Sequence, residues 1–302
     1  MNATALPTPN RRSLRVRATL ASIAAGAATV AIVAGCSSPQ PTQHQGPSPA
    51  SATAAPSAPA PNGVKPTVVL VHGAWADNSS WDGEVAELQK QGYDARAISN
   101  PLEGLTTDSE YVKSFLATIK GPIVLVGHSY GGSVITNAAA GDPDVKALVY
   151  VDAAAPDVGE TTKSLSGKDS GLSTGTDEQL FDSVPYPGAP AGAADLYLKK
   201  DVFLDDFGND LPPDQATRLW ATQRAASTVA FGTPSKFAAW KTIPSWYFIS
   251  SGDRIITPAS EEMMAHRAHS TITTFDGGSH LTLISHPDAV TAVIDSAIAS
   301  VH

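Results

Sequence analysis

The chain has 302 residues and a formal net charge of −9, with 29 acidic against 20 basic side chains. An acidic surface repels phosphate backbones and anionic headgroups, which excludes nucleic acid and a charged membrane face as partners. A single cysteine excludes an internal disulfide and a thiolate metal cage.

Residues 1–17 are polar and carry Arg11, Arg12, Arg15 and Arg17 with no acid, and residues 18–35 are apolar or small and uncharged. A basic start before a short apolar run predicts an export signal over residues 1–35. The run is near the ~18-residue minimum for a membrane span, but its Ala and Gly content makes it a weak anchor. Val33-Ala34-Gly35-Cys36 resembles the lipobox of bacterial lipoproteins, in which the cysteine is acylated and becomes the new N-terminus. Cys36 is therefore the expected lipid attachment, on an exported protein held at the outer face of the cell membrane. The Arg11-Arg12 pair leaves the export route, general or twin-arginine, open. Removing residues 1–35 takes away four positive charges and leaves −13 of the original −9. Residues 36–64 hold seven prolines and no charge, which predicts a disordered tether with almost nothing to bury.

From Lys65 the composition changes, and residues 65–302 are long enough for one large domain. Continuous apolar runs predict buried parallel strands at 67–72, 123–126, 147–151 and 246–249, with weaker strands at 93–98 and 271–275. Helical patterns fall between them, at about 80–91, 107–119, 131–140, 259–268 and 287–299. Strand and helix alternate, so the expected fold is α/β, a mostly parallel doubly wound sheet of about six strands. Residues 155–235 break the alternation with Gly, Ser, Pro and Asp, and predict a cap of low strand content with a helix near 213–226. Ligands bind beyond the carboxyl ends of strands in such sheets, so the cap would roof the site.

Gly-x-Ser-x-Gly occurs twice, at Gly127–Gly131 and at Gly171–Gly175. A nucleophile elbow needs a strand before the serine and a helix after it, with glycines where a Cβ would clash. Ser129 has both; Ser173 sits in a polar stretch with neither and is a loop serine. A serine needs a base, and the base needs an orienting acid. His280 follows the last predicted strand and a Gly pair, which suits the base. The remaining histidines fit less well. His44 lies in the tether, His302 ends the chain, and His72 and His128 stand in the turn motifs. His286 precedes Pro287, and His266 and His269 lack a third metal ligand. Asp253 follows the strand at 246–249 and is the expected acid. Asp152, after the strand ending at Val151, is its rival, and Asp276 stands only four residues before His280. The oxyanion donors are expected from the backbone N–H of Tyr130 and of Ala74, in the loop His72-Gly73-Ala74-Trp75 after the first strand. No metal and no cofactor are expected.

With His72-Gly73-Ala74-Trp75 and Gly127-His128-Ser129-Tyr130-Gly131-Gly132 in place, residues 66–302 resemble the α/β-hydrolase superfamily. In particular they resemble compact bacterial esterases related to plant methyl-ester esterases and hydroxynitrile lyases. The resemblance implies a serine esterase with the triad Ser129, Asp253 and His280, and with Ala74 and Tyr130 at the oxyanion. Trp75 and Trp220 would line the acyl or alcohol pocket, or else simply pack. The implied substrate is a small to medium, largely uncharged ester, and a monomer is expected. Lactonase, amidase and perhydrolase chemistry use the same residues, and a slowly turning ligand-binding protein is the reading from another class.

Overall fold

The computed structural model describes residues 64–301. The predicted export signal, the tether up to residue 63, Cys36 and His302 lie outside the described residues. In chain order the body begins β1 (Thr67–Val71), α1 (Asp82–Lys90), β2 (Asp94–Ile98), α2 (Leu105–Leu116), β3 (Ile123–His128), α3 (Tyr130–Ala138) and β4 (Val145–Val151). After the cap come β8 (Ser245–Ser250), α8 (Pro258–Arg267), β9 (Thr271–Phe275), α9 (Thr282–Ser285) and α10 (Pro287–Ala299).

These six strands form one parallel sheet in the order β2-β1-β3-β4-β8-β9. The strands read as apolar runs because both faces are covered. All of β3 and β8 and most of β1 and β4 are buried. The helices supply matching stripes. On α10, Val290, Val293, Ile294, Ala297 and Ile298 are buried, the three- and four-residue spacing of one helix face. Helix α3 is buried along its whole length, which its Gly, Ser and Ala residues permit. The strand order reverses between β1 and β3, and their carboxyl ends, Val71 and Gly127, are in register. A crevice opens at such a reversal.

Between β4 and β8 lies the cap. It comprises α4 (Asp177–Leu180), β5 (Phe181–Val184), β6 (Asp195–Leu198), α5 (Lys200–Val202), α6 (Pro213–Ala221), β7 (Ala226–Ser227) and α7 (Thr228–Gly232). Its strand content is low, as expected, and the little there is, β5, β6 and β7, forms a three-stranded antiparallel sheet. The helix predicted over 213–226 stops at Ala221, and Ala226–Ser227 is strand instead. Gln223 explains the stop: its side chain accepts from the Leu198 N–H at 2.8 Å and donates to the Leu198 carbonyl at 3.0 Å. The chain is held there by β6, not by another helical turn. Between α5 and α6, Phe203–Phe207 forms a π-helical turn. No helix of the described residues is long and apolar enough to cross a membrane.

Candidate active site

Strand β3 delivers Ser129 and α3 starts one residue later. Ser129 has φ 54° and ψ −124°, a conformation that costs an L-residue about 1–3 kcal/mol and is found where function requires it. Backbone packing holds it there. A Cβ on Gly73 would lie 2.5 Å from Ser129 Cβ, so the loop after β1 abuts the nucleophile directly.

His280 joins the two other members of the predicted triad. Its Nε2 lies 2.7 Å from Ser129 Oγ and its Nδ1 2.6 Å from Asp253 Oδ2. Asp253 Oδ1 also accepts the N–H groups of Ile255 and Ile256, at 2.7 and 3.2 Å. A carboxylate facing three donors places the imidazole proton on Nδ1 and leaves the Nε2 lone pair toward the Ser129 hydroxyl. His280 is fully buried, and burial holds its pKa down to about 3. The resting base is therefore neutral and free to take a proton.

Asp152, the rival acid, does not reach His280. Its Oδ1 accepts the Ser250 N–H at 2.7 Å and its Oδ2 lies 2.9 Å from the Ser250 hydroxyl oxygen. Asp152, Asp253 and Glu261 each bring an oxygen within 4.8 Å of the others, all buried. Burial pushes all three carboxyls well above the usual range, and the Asp253 charge adds to the effect on Asp152. Like charges this close do not ionise together. The three donors facing Asp253 keep the charge there and leave the proton on Asp152. The carboxyl oxygens of Asp152 and Asp253 are engaged by these groups, while both oxygens of Glu261 are buried without a hydrogen-bond partner among the described residues.

Of the predicted oxyanion donors, Tyr130 follows the nucleophile directly in the chain, and Ala74 follows Gly73, which abuts it. Tyr130 is the first residue of α3, so no turn of helix precedes it to accept its N–H. Its side chain is anchored, with the hydroxyl donating to Asp108 Oδ2 at 2.7 Å. Asp108 in turn accepts the N–H groups of Glu103 and Gly104. On the other side, His72 fixes the Ala74 loop. Its Nε2 accepts the Asn100 N–H at 3.0 Å, so Nδ1–H donates to the Gly73 carbonyl at 2.8 Å. Burial lowers the His72 pKa to about 4, which keeps this tautomer neutral. His128 donates Nε2–H to the His280 carbonyl at 2.7 Å. Both histidines had been set aside as turn residues; each supports the site without being its base. Nothing in the sequence marks those contacts, which run across 28 and 152 residues.

Trp75 is buried at φ 57°, its indole N–H donating to the Leu196 carbonyl of the cap at 2.8 Å. Cap residues Phe181 and Phe231 stack on it at 5.7 and 5.3 Å, and Phe207 meets it edge-on at 5.8 Å. Phe207 also lies 5.2 Å from the His280 ring. Trp220 is placed elsewhere: its indole donates to the Leu198 carbonyl and Lys200 sits over its ring. Ser173 is exposed in a short 3-10 turn, and His266, His269, His286 and Asp276 are exposed.

The model of the Alpha/beta hydrolase family matches residues 68–293 of this chain. The chain belongs to that family. A pyrethroid hydrolase from Sphingobium wenxiniae is 31% identical over 218 residues, covering 65% of this chain and 74% of that protein. A pimeloyl-[acyl-carrier protein] methyl ester esterase from Xanthomonas campestris is 25% identical over 255 residues, covering 79% of this chain and 97% of that one. Among solved structures, an extracellular alpha/beta-hydrolase from a Paenibacillus species superposes with a TM-score of 0.64 at 23% identity. It covers 77% of this chain and 98% of its own. The family match starts inside β1 and ends inside α10, so it includes the cap as well as the sheet.

The lowered His280 pKa has a measurable sign. The competent form is the neutral imidazole, which is lost only as pH falls through the folded-state pKa. The rate of fluorophosphonate labelling of Ser129 should persist as pH drops through 6.5, with its half-loss below that value. A half-loss at or above 6.5 would show that burial does not depress this imidazole.

Proposed function

We propose that the protein hydrolyses carboxylic esters of small to medium, largely uncharged substrates through an acyl-enzyme on Ser129. The observation that carries this is the hydrogen-bonded relay from Ser129 through His280 to Asp253, set on a strained elbow. Ser129 Oγ attacks the ester carbonyl as His280 Nε2 takes its proton, and Asp253 stabilises the imidazolium through Nδ1–H. The N–H groups of Ala74 and Tyr130 face the developing oxyanion. His280 returns the proton to the leaving alcohol, and a water deprotonated by the same nitrogen releases the acid and restores Ser129. The aromatic surroundings, Trp75, Phe181, Phe207 and Phe231, favour apolar acyl or alcohol groups over charged ones. The names of two relatives, a pyrethroid hydrolase and a methyl ester esterase, agree with this reaction class.

A panel of nitrophenyl esters and a fluorophosphonate probe test the proposal on the full chain and its Ser129→Ala variant. The native protein should turn over the esters and take one label, mapped to Ser129 by mass spectrometry. Equal turnover by the variant, or no label on the native protein, would sink it.

We further infer that the protein is exported and held to the cell membrane by a lipid on Cys36, with residues 36–64 as the tether and 65–302 as the catalytic domain. The basic start, the apolar run and Val33-Ala34-Gly35-Cys36 support this. A Cys36→Ala protein should leave the membrane fraction; one that stayed there would refute the anchor.

A further inference from the structure

The loop that carries His280 is gripped from two directions. From the body, Ser250 Oγ donates to Thr282 Oγ1 at 2.7 Å, and Thr282 Oγ1 donates to the Ser279 carbonyl at 2.7 Å. Asp152 braces that chain, accepting the Ser250 N–H with Oδ1 and directing its carboxyl proton at Ser250 Oγ from Oδ2. From the cap, one short segment reaches the same loop. The Phe207 ring lies 5.2 Å from the His280 ring. Gly208 faces Leu281 so closely that a Cβ would come within 3.3 Å of Leu281 Cδ1. Asp210 accepts the hydroxyl of Ser279 with one oxygen and that of Ser285 with the other, each at 2.5 Å. Ser279 Oγ also accepts the Leu281 N–H at 2.9 Å, so the group that Asp210 holds spans the catalytic histidine. The same segment reaches the acid loop, where Arg254, next to Asp253, donates to the Asp205 carbonyl at 2.9 Å.

We propose that Asp210 is a positioning residue that couples the cap to the triad: residues 203–211 set the His280 imidazole against Ser129, and Asp210 is the latch. It rests on the reading of Ser129, Asp253 and His280 as a catalytic triad. The π-helical turn Phe203–Phe207 fits this role, since one-turn π segments widen a helix locally and recur at functional sites. With the latch closed, Ser129 is 5% exposed and His280 not at all. With nucleophile and base covered to this extent, a substrate reaches Ser129 only when the cap moves. Movement of this segment removes the hydrogen bond that fixes Ser279, so the triad is fully assembled only under a closed cap. Coupling of this kind commits bound substrate and suppresses reaction in the open site.

Three variants of the full chain test the latch: Asp210→Ala, Asp210→Asn and Ser279→Ala, with the Asp210→Ala/Ser279→Ala pair completing a cycle. Misplacing a catalytic group by about 1 Å costs on the order of 10²-fold in rate. Asp210→Ala should therefore lose that order in kcat with KM within about threefold. Asp210→Asn, which keeps one acceptor and can donate to the other serine, should recover part of the loss. The double variant should lose little more than Asp210→Ala alone, because both break one link. Folded fraction is followed by circular dichroism, and the far-downfield proton resonance of His280 Nδ1–H reports imidazole placement without any turnover. That resonance should broaden or vanish in Asp210→Ala. An unchanged resonance with unchanged kcat, or a loss in kcat that only tracks unfolded protein, would overturn the latch. Absence of fluorophosphonate labelling in the native protein would instead fault the hydrolase reading, while the resonance would still decide the latch.

Discussion

Asp253→Asn should lower kcat on a nitrophenyl ester by on the order of 10⁴-fold, whereas Asp152→Asn should lose less than about tenfold. The asymmetry follows from which carboxyl holds the proton. Asp253 accepts from His280 Nδ1 and from the Ile255 and Ile256 N–H groups. An amide there turns an N–H toward Nδ1 and drives the imidazole into the other tautomer, with its proton pointing at the Ser129 hydroxyl. A base in that tautomer cannot accept. Asp152 is buried, raised and neutral, and its two contacts are both to Ser250. An asparagine oxygen still accepts the Ser250 N–H, and its Nδ2 donates to the hydroxyl. Initial-rate kinetics on the two purified variants decide the matter, and a larger loss at Asp152 would exchange the two assignments.

Gly131→Ala should destabilise the fold strongly, although it adds only one methyl. The new Cβ would fall inside contact distance of the Val71 carbonyl oxygen and 2.9 Å from that of His72. Both are backbone atoms of β1 and the loop after it, so no side chain can rotate away. Relief requires α3 to back off from the sheet, which also moves Tyr130 and the Ser129 turn. Overpacking of this kind costs typically 1–3 kcal/mol, and with rigid backbone on both sides the expected loss is about 3 kcal/mol. Thermal unfolding would show it, together with slower fluorophosphonate labelling of the fraction that remains folded. A melting temperature within a degree of the native protein would mean the turn has slack that the structure does not show.

Much of the body was legible because its strands are apolar on both faces, and continuous runs such as residues 123–126 and 246–249 have no alternative of that length. Ser129 and Asp253 were legible for the same reason, since each follows such a strand, whereas His280 follows the mostly exposed β9 and was marked by the Gly pair before it. The choice between Asp253 and Asp152 was harder: both follow strand ends, and only the position of the imidazole separates them. The cap was the least readable part. Strands β5 and β6 are four residues each, with Asp182, Asp195 and Tyr197 among their apolar residues, so neither a run nor an alternation marks them. The supports of the site were invisible for a different reason. Asp210 meets Ser279 across 69 residues and Asp108 meets Tyr130 across 22, and an isolated acid in a polar stretch carries no trace of a distant serine or phenol.

The place where the cap departs from the sheet has its own implication. The chain leaves β4 at Val151 and comes back at Ser245, yet β4 and β8 are hydrogen-bonded neighbours, with Leu148 opposite Ser245 and Val151 opposite Phe248. Because the two strands run parallel, the exit lies at the carboxyl end of β4 and the return three residues back, at the amino end of β8, a doorway about 11 Å across at ordinary strand spacing and rise. A module mounted on such a doorway can be exchanged, lengthened or shortened without re-pairing any strand, which gives one chemistry a route to many substrates. The restriction on that freedom is the clasp at Ser279: a replacement roof would have to bring its own acceptor to the same point, or lose its hold on the histidine beneath.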